Sequence, residues 1–321
     1  MFFTLLSVFL FALGFFILIK GADFVIRGAT SIARYLGVSE WLVGVVIVGI
    51  GTSLPELAIN ITSAWQGTSV GVGTILGSNI FNMLGIMGII AFVSPITLRP
   101  EWIKIDLPIN IGVIVASGAM LFLSVTGSDF MGVTRLEALA LFVLFIIWMR
   151  FMARRKDDDV IQPHYEQSDT AAWYISALLI VAGLIGVFIG SGWIIDGAEK
   201  IARYAGISES LISLTIVALG TSVPEIAVSL RAIVKKNASI AVGNILGSNI
   251  FDLLGIFGIA GIIVPIEVLD IFVFDYLYLL VTATLIFTFM FIGKLYTVSR
   301  TQGLFLFLLY LAYILIITLR G

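Results

Sequence analysis

Three acidic side chains stand where acids are expensive. Glu56, Glu225 and Asp252 fall inside long apolar stretches of the chain. An ionised side chain at mid-bilayer depth costs at least about 3 kcal/mol even on the lenient insertion scale. None has an obvious basic partner in its own stretch, so something else must neutralise it, and a bound cation is the simplest choice. The surroundings are rich in oxygen. In GTSLPE, Gly51 to Glu56, Pro55 lacks an N–H and clashes with the carbonyl of residue 51. The helix is therefore expected to break just before Glu56, with freed carbonyls and the Thr52 and Ser53 hydroxyls facing inward. Thr52 and Glu56 are four apart, the spacing of one helix face. The same spacing links Thr221 with Glu225, Ser78 with Asn82, and Ser248 with Asp252. Four such pairs can converge on one oxygen-lined pocket. Hard oxygens with two or three carboxylates suit calcium, which takes about 6 to 8 of them, and a few of the same oxygens suit sodium.

The elements that must position these groups follow from composition. Of 321 residues, 60% are apolar and 12% charged, with a net charge of −2 and no cysteine. Uncharged runs such as Val70 to Leu98 and Leu107 to Ser128 exceed the roughly 18 residues that mark a membrane crossing. This excludes a cytosolic enzyme, a secreted domain, a disordered chain and a nucleic-acid binder. The missing cysteine excludes disulfides, thiolate zinc sites and iron–sulfur ligation, leaving oxygen ligands or the single histidine, His164, for any metal. The hydropathy pattern gives about ten spans, beginning near residues 2, 40, 69, 104, 133, 172, 209, 239, 270 and 301. Met1 to Ile19 lacks a basic leader and a small-residue cleavage site, so it reads as a retained first span.

The chain repeats itself. Gly28 to Glu40 matches Gly197 to Glu209 in 9 of 13 positions at an offset of 169. GIGTSLPE, ending at Glu56, pairs with ALGTSVPE, ending at Glu225, at the same offset. Gly71 to Gly85 matches Ala241 to Gly255 in 11 of 15 at an offset of 170. Three colinear matches that include rare polar residues exceed what a Gly- and Ile-rich composition produces. The halves are residues 1–153 and 172–321, joined by a polar linker at 154–171 that is too short to fold alone.

Five spans per half is an odd number, so the second half is expected to enter the bilayer inverted. Loops on one side hold 14 of the 18 Lys and Arg residues; the other side holds Arg135, Lys200, Arg203 and Arg320. The positive-inside tendency then puts the linker in the cytoplasm and both termini outside the cell. The expected fold class is an all-α integral membrane protein of ten helices, with broken helices lining a site between two inverted repeats.

Blander readings apply to parts of this pattern. A Gly-Thr-Ser-x-Pro stretch alone is more often a kink than a site, and Gly77, Gly85, Gly247 and Gly255 read first as close helix packing. Asn79 and Asn249 fit either interhelical hydrogen bonds or support of a site. An isolated buried Glu can be protonated and structural, but duplication of the whole constellation argues against that for these three.

At these residues the sequence resembles the cation/calcium exchanger superfamily, specifically the prokaryotic sodium/calcium exchangers. The likeness spans the whole chain and rests on GTSLPE with GSNIFN and GTSVPE with GSNIFD. It implies electrogenic antiport of three sodium ions for one calcium, without a cofactor, through one calcium site flanked by sodium sites. It further implies that Glu56 and Glu225 bind calcium beside the backbone carbonyls of Thr52 and Thr221. Ser53, Ser78, Ser222 and Ser248 would serve sodium with carbonyls near Gly49 and Ala218, while Asn82 and Asp252 complete the centre. The first and sixth spans would slide across the rest to switch access. Thr74 stands opposite Asn244, and Gly49 opposite Ala218, so the flanking sites need not be equivalent.

The expected function is therefore a cell-membrane antiporter, with calcium and sodium as substrates and no obligatory protein partner. A potassium-dependent exchanger is a second reading, because GSNIFD also resembles that branch. A calcium/proton antiporter is a third; such relatives usually carry an extra acid or histidine where this chain has GTILGS and GNILGS. A calcium channel would need no counter-ion. An intramembrane hydrolase would need HExxH, a serine-activating histidine or paired aspartates within the spans, and these are absent from the sequence.

Overall fold

Local signals set where the helices begin. In a computed structural model of the protein, residues 2–123, 131–155, 172–204 and 220–320 are described. Their helical runs are α1 (Phe2–Leu36), α2 (Glu40–Thr52), α3 (Leu54–Trp65), α4 (Val70–Val93), α5 (Trp102–Phe122), α6 (Arg135–Arg154), α7 (Trp173–Tyr204), α8 (Val223–Val234), α9 (Ala238–Ile263), α10 (Phe272–Phe289) and α11 (Arg300–Arg320). Thr134 caps α6 by accepting from the Glu137 N–H at 3.3 Å, while Glu137 accepts from the Thr134 N–H at 2.9 Å. Ser299 and Gln302 repeat that reciprocal box at α11, at 3.3 and 2.8 Å. Pro55 and Pro224 sit in the first turns of α3 and α8, where a missing N–H costs nothing. Pro55 thus starts a new helix, and the chain bends by 44° between α2 and α3, at Ser53.

Seven of these helices are long and apolar enough to cross a membrane, eight if α2 and α3 form one broken span. Span starts expected near 69, 104, 133, 239, 270 and 301 fall within three residues of the observed ones. Most of the stretch that joins residue 209 to α8, and most of the linker with His164, lie outside the described residues. The two helices with the duplicated GSNIF motif form the core: α4 and α9 are 83% and 89% buried along their apolar windows, against 22% to 39% for α5, α6, α7, α10 and α11.

The two halves clasp each other reciprocally. Strand β1 (Ile96–Thr97) pairs with β4 (Thr297–Val298), and β2 (Gly132–Val133) pairs with β3 (Ile266–Glu267). Helix α5 leads from the first pair to the second and α10 from the second to the first, so they run in opposite directions. Helices α1 and α7 are antiparallel too. A Cβ on Gly14 would meet the Gly190 carbonyl at 2.9 Å, one on Gly21 the Gly183 carbonyl at 2.7 Å, and one on Gly28 the Ser176 carbonyl at 2.7 Å. Only glycine permits a backbone seam this close.

Paired acids tie the ends. Asp106 in α5 holds Arg155, just past α6, at 2.7 Å, and Asp275 in α10 holds Arg320 of α11 at 2.8 Å. The acids are 169 residues apart in sequence, the offset of the repeat itself. A third pair has no counterpart: Asp23 in α1 accepts from Arg231 Nε at 2.8 Å and Nη2 at 3.0 Å, with Lys235 Nζ at 2.5 Å. At the corresponding positions of the other half stand Gly192 and Thr62, so the two ends of the molecule are not chemically equivalent.

Candidate cation site

Glycine brings the site together. Helices α2 and α9 touch backbone to backbone: a Cβ on Gly49 would lie 2.8 Å from the Ser248 amide nitrogen, and one on Gly247 only 1.9 Å from the Val45 carbonyl oxygen. Packing at that distance lets Ser248 Oγ donate to the Gly49 carbonyl at 3.0 Å. Thr52 Oγ1 lies 3.1 Å from Asn244 Oδ1 and 3.3 Å from Ser248 Oγ, and also reaches the Gly49 carbonyl at 3.3 Å. Of the four glycines read as packing residues, only Gly247 serves close helix contact. A Cβ on Gly77 would meet open space, while Gly85 and Gly255 make room for the rings of Phe81 and Phe251 on their own helices. Those rings begin the wide π-helical turns Phe81–Ile86 and Phe251–Ile256, which carry Asn82 and Asp252. Such turns interrupt the regular backbone ladder and recur at functional positions.

One expectation needs correction. Thr52 and Glu56 do not share a helix face, because the chain bends between them and Thr52 ends α2 while Glu56 lies in the first turn of α3. Thr221 and Glu225 are likewise separated by the turn before α8. The Thr52 and Ser53 hydroxyls instead serve the opposite half. Thr52 stands beside the carboxyl of Glu225, and Ser53 beside that of Asp252. Ser78 Oγ donates to Asp252 Oδ2 at 3.4 Å and Asn79 Nδ2 to the same oxygen at 2.8 Å. Asn82 Nδ2 donates to Asn249 Oδ1 at 3.0 Å across the centre.

The acids themselves divide sharply. Asp23, Asp106 and Asp275 are buried, at 6%, 5% and 3% exposure, and each is bound to an arginine. Glu56, Glu225 and Asp252 are each 1% exposed, and none has a basic partner among the described residues. Both oxygens of Glu56, both of Glu225, and Asp252 Oδ1 accept no hydrogen bond. The Asn79 and Asn82 carbonyl oxygens join them as unpartnered acceptors. Glu56 feels the repulsion of both Glu225 and Asp252. Yet no three His, Asp or Glu side chains among the described residues are arranged to hold an ion by themselves. The three carboxylates expected to gather as a cluster therefore need neutral oxygens between them, which the hydroxyls and amides at the centre supply. Buried acceptors left without donors call for a cation as partner.

The remaining expected ligands are placed less tightly. Ser222 is buried, and Thr221 is partly exposed at the turn before α8. The Gly49 carbonyl already accepts two hydroxyls. Ala218 lies outside the described residues. Asn60 was not singled out from sequence, and Asn244 only as the residue opposite Thr74. Asn244 Nδ2 holds the Glu225 carbonyl at 3.4 Å and Ser229 Oγ at 3.0 Å, and Asn60 Nδ2 holds the Glu56 carbonyl at 2.9 Å. Asn60 and Ser229 occupy corresponding positions one turn beyond the two glutamates, a regularity visible in sequence once those glutamates are aligned.

A helical membrane protein with unpaired acids and oxygen donors meeting at its core is an ion carrier by class. Family comparison gives the particular lineage. The chain belongs to the sodium/calcium exchanger protein family, whose model matches residues 6–154 and 175–319. It is similar to a solved structure of the sodium-calcium exchanger NCX_Mj soaked with zero sodium and calcium, with a TM-score of 0.80 and 29% identity, covering 98% of this chain and 99% of that one. An uncharacterized membrane protein of Methanocaldococcus jannaschii is 31% identical, covering 96% of each chain. The sodium/calcium exchanger MaX1 of Methanosarcina acetivorans is 27% identical, covering 95% of this chain and 96% of its own.

Proposed function

We propose that the protein is a secondary antiporter that exchanges sodium for calcium by alternating access, three sodium ions for one calcium. The observation that carries this reading is the contrast between the arginine-bound acids and the unpartnered Glu56, Glu225 and Asp252. Calcium is held by Glu56 and Glu225 with the Thr52 and Thr221 carbonyls. Sodium is held by Ser53, Ser78, Ser222 and Ser248 with carbonyls near Gly49 and Ala218, and Asn82 and Asp252 close the centre. Family membership and the similarity to a sodium-calcium exchanger support the choice of ions. The architecture is two inverted five-helix repeats, 1–153 and 172–321, with the linker 154–171 in the cytoplasm and both termini outside the cell membrane. The antiparallel α1 and α7 and the reciprocal strand pairs support it.

The mechanism follows from charge. Moving uncompensated carboxylates through a sealed state costs several kcal/mol. Calcium or several sodium ions offset that charge, so only a loaded carrier switches sides, which makes exchange instead of leak. The test is labelled-calcium uptake into reconstituted vesicles with sodium, potassium and proton gradients imposed separately. An outward-directed sodium gradient drives uptake, and clamping the membrane potential changes its rate. Uptake driven by a pH gradient in sodium-free buffer would overturn the choice of sodium.

A further inference from the structure

A cavity lies away from the carboxylates. It has a volume of about 830 Å³ and opens between α1 and the turn that joins α8 to α9. Arg27 and Arg34 reach it from α1, and Lys235 and Lys236 from the turn. Among the described residues Glu40 is its one acidic wall, and Asn237 Nδ2 donates to that carboxylate at 2.7 Å. With the neighbouring Asp23 and Arg231, the described residues place five cationic side chains and two carboxylates here, Arg231 and Lys235 both bound to Asp23 and Arg34 engaged in an interaction of its own. Thr30 and Ser239 add hydroxyl donors. Ala238 and Ser239, the first residues of α9, line the same space, and a helix start favours anions.

The turn is built against its own backbone preference. Lys236 has φ of 60°, the left-handed region, and closes α8 with N–H bonds from Lys236 to the Ile233 carbonyl and from Asn237 to the Ala232 carbonyl, both 2.8 Å. The other half makes the same turn with Gly67, at φ of 63°, closed by Gly67 to Ala64 and Thr68 to Ser63. Glycine is the residue this conformation favours. Keeping a lysine there, at the mouth of a basic cavity, points to a task for its charge.

The depth of the cavity identifies the partner. Helix α7 begins with exposed Trp173 and Tyr174 and meets α1 at this level, where Ser176 Oγ donates to Ser31 Oγ at 2.8 Å. Exposed Trp and Tyr at a helix end mark the headgroup layer. Ile26 and Leu179 supply apolar walls below the charges. We infer that this cavity binds the phosphate headgroup of an anionic phospholipid, held by Arg27 from one side and by Lys236 and the start of α9 from the other. A headgroup so placed bridges α1 to the α8–α9 turn. Its influence on exchange rests on the antiporter reading, whereas its binding does not.

The experiment is a thermal-shift titration of the purified full chain in detergent, with calcium held constant. The probes are short-chain phosphatidylglycerol, short-chain phosphatidylcholine and inorganic phosphate. The wild type is expected to be stabilised by phosphatidylglycerol and not by the other two. Arg27→Gln with Lys236→Gly is expected to weaken that response roughly tenfold or more, the loss of two charge-assisted contacts. Lys236→Gly also relieves the left-handed turn, so the variant is expected to fold; Arg27→Gln alone checks the same contact without touching the turn. A response to inorganic phosphate equal to that of the lipid would overturn the lipid assignment. Equal responses from wild type and both variants would overturn the site. Because calcium transport is not the readout, a failed exchange assay would leave this result standing, and the reverse also holds.

Discussion

Glu225→Gln isolates the charge at the centre, because glutamine keeps the shape of glutamate and loses only the negative charge. Glu225 is 1% exposed and neither of its oxygens accepts a hydrogen bond. Removing the charge relieves a burial cost of at least about 3 kcal/mol. In a chelator, the variant is therefore expected to melt higher than the wild type, by an amount on the order of 5 °C. Calcium tells the opposite story. Breaking one member of a buried charge pair costs about 3 kcal/mol or more, which is roughly a hundredfold or more in affinity. Calcium stabilises the wild type and is expected to stabilise the variant hardly at all at concentrations that saturate the former. The assay is a pair of melting curves, in chelator and in millimolar calcium, with calcium binding measured on the same preparations. The two effects have opposite signs, so a variant that merely folds poorly cannot imitate them. Equal melting in chelator would mean that the carboxyl group carries no charge in the empty protein. With calcium affinity within threefold of wild type as well, the reasoning fails.

Two further substitutions probe the frame that holds the site. Gly247→Ala would place a methyl 1.9 Å from the Val45 carbonyl oxygen; overpacking of this kind costs about 1–3 kcal/mol or more, so both melting temperature and calcium affinity are expected to fall, whereas Gly77→Ala, facing open space, leaves both near wild type. Asp106→Asn is expected to destabilise by about 3 kcal/mol, and Asp275→Asn by less, because the Arg155 and Arg320 side chains are 10% and 29% exposed respectively; a larger loss for Asp275→Asn in denaturant titrations would contradict the burial argument.

The sequence was most legible where chemistry and covalent geometry coincide. Pro55 cannot continue a helix, and the break lies at Ser53, two residues before it. The acids in apolar runs had to be special, since oil tolerates few of them, and Glu56, Glu225 and Asp252 are buried without a basic partner among the described residues. What the sequence did not disclose depends on contacts between distant residues. Asp106 and Asp275 were not singled out, yet both are buried, and their arginines lie 49 and 45 residues away. Asn244 looked like a mere substitution for Thr74. Its amide proves to reach Thr52, 192 residues earlier, only because glycines let α2 and α9 touch. The four-residue spacing of Thr52 and Glu56 misled for the same reason that the break was predictable: a proline that frees carbonyls also destroys the helix face on which the spacing argument relied. A broken span therefore has to be read as two short helices whose partners lie in the other half. Applied to Thr52 and Ser53, that rule points across the molecule to Glu225 and Asp252, where the structure puts them.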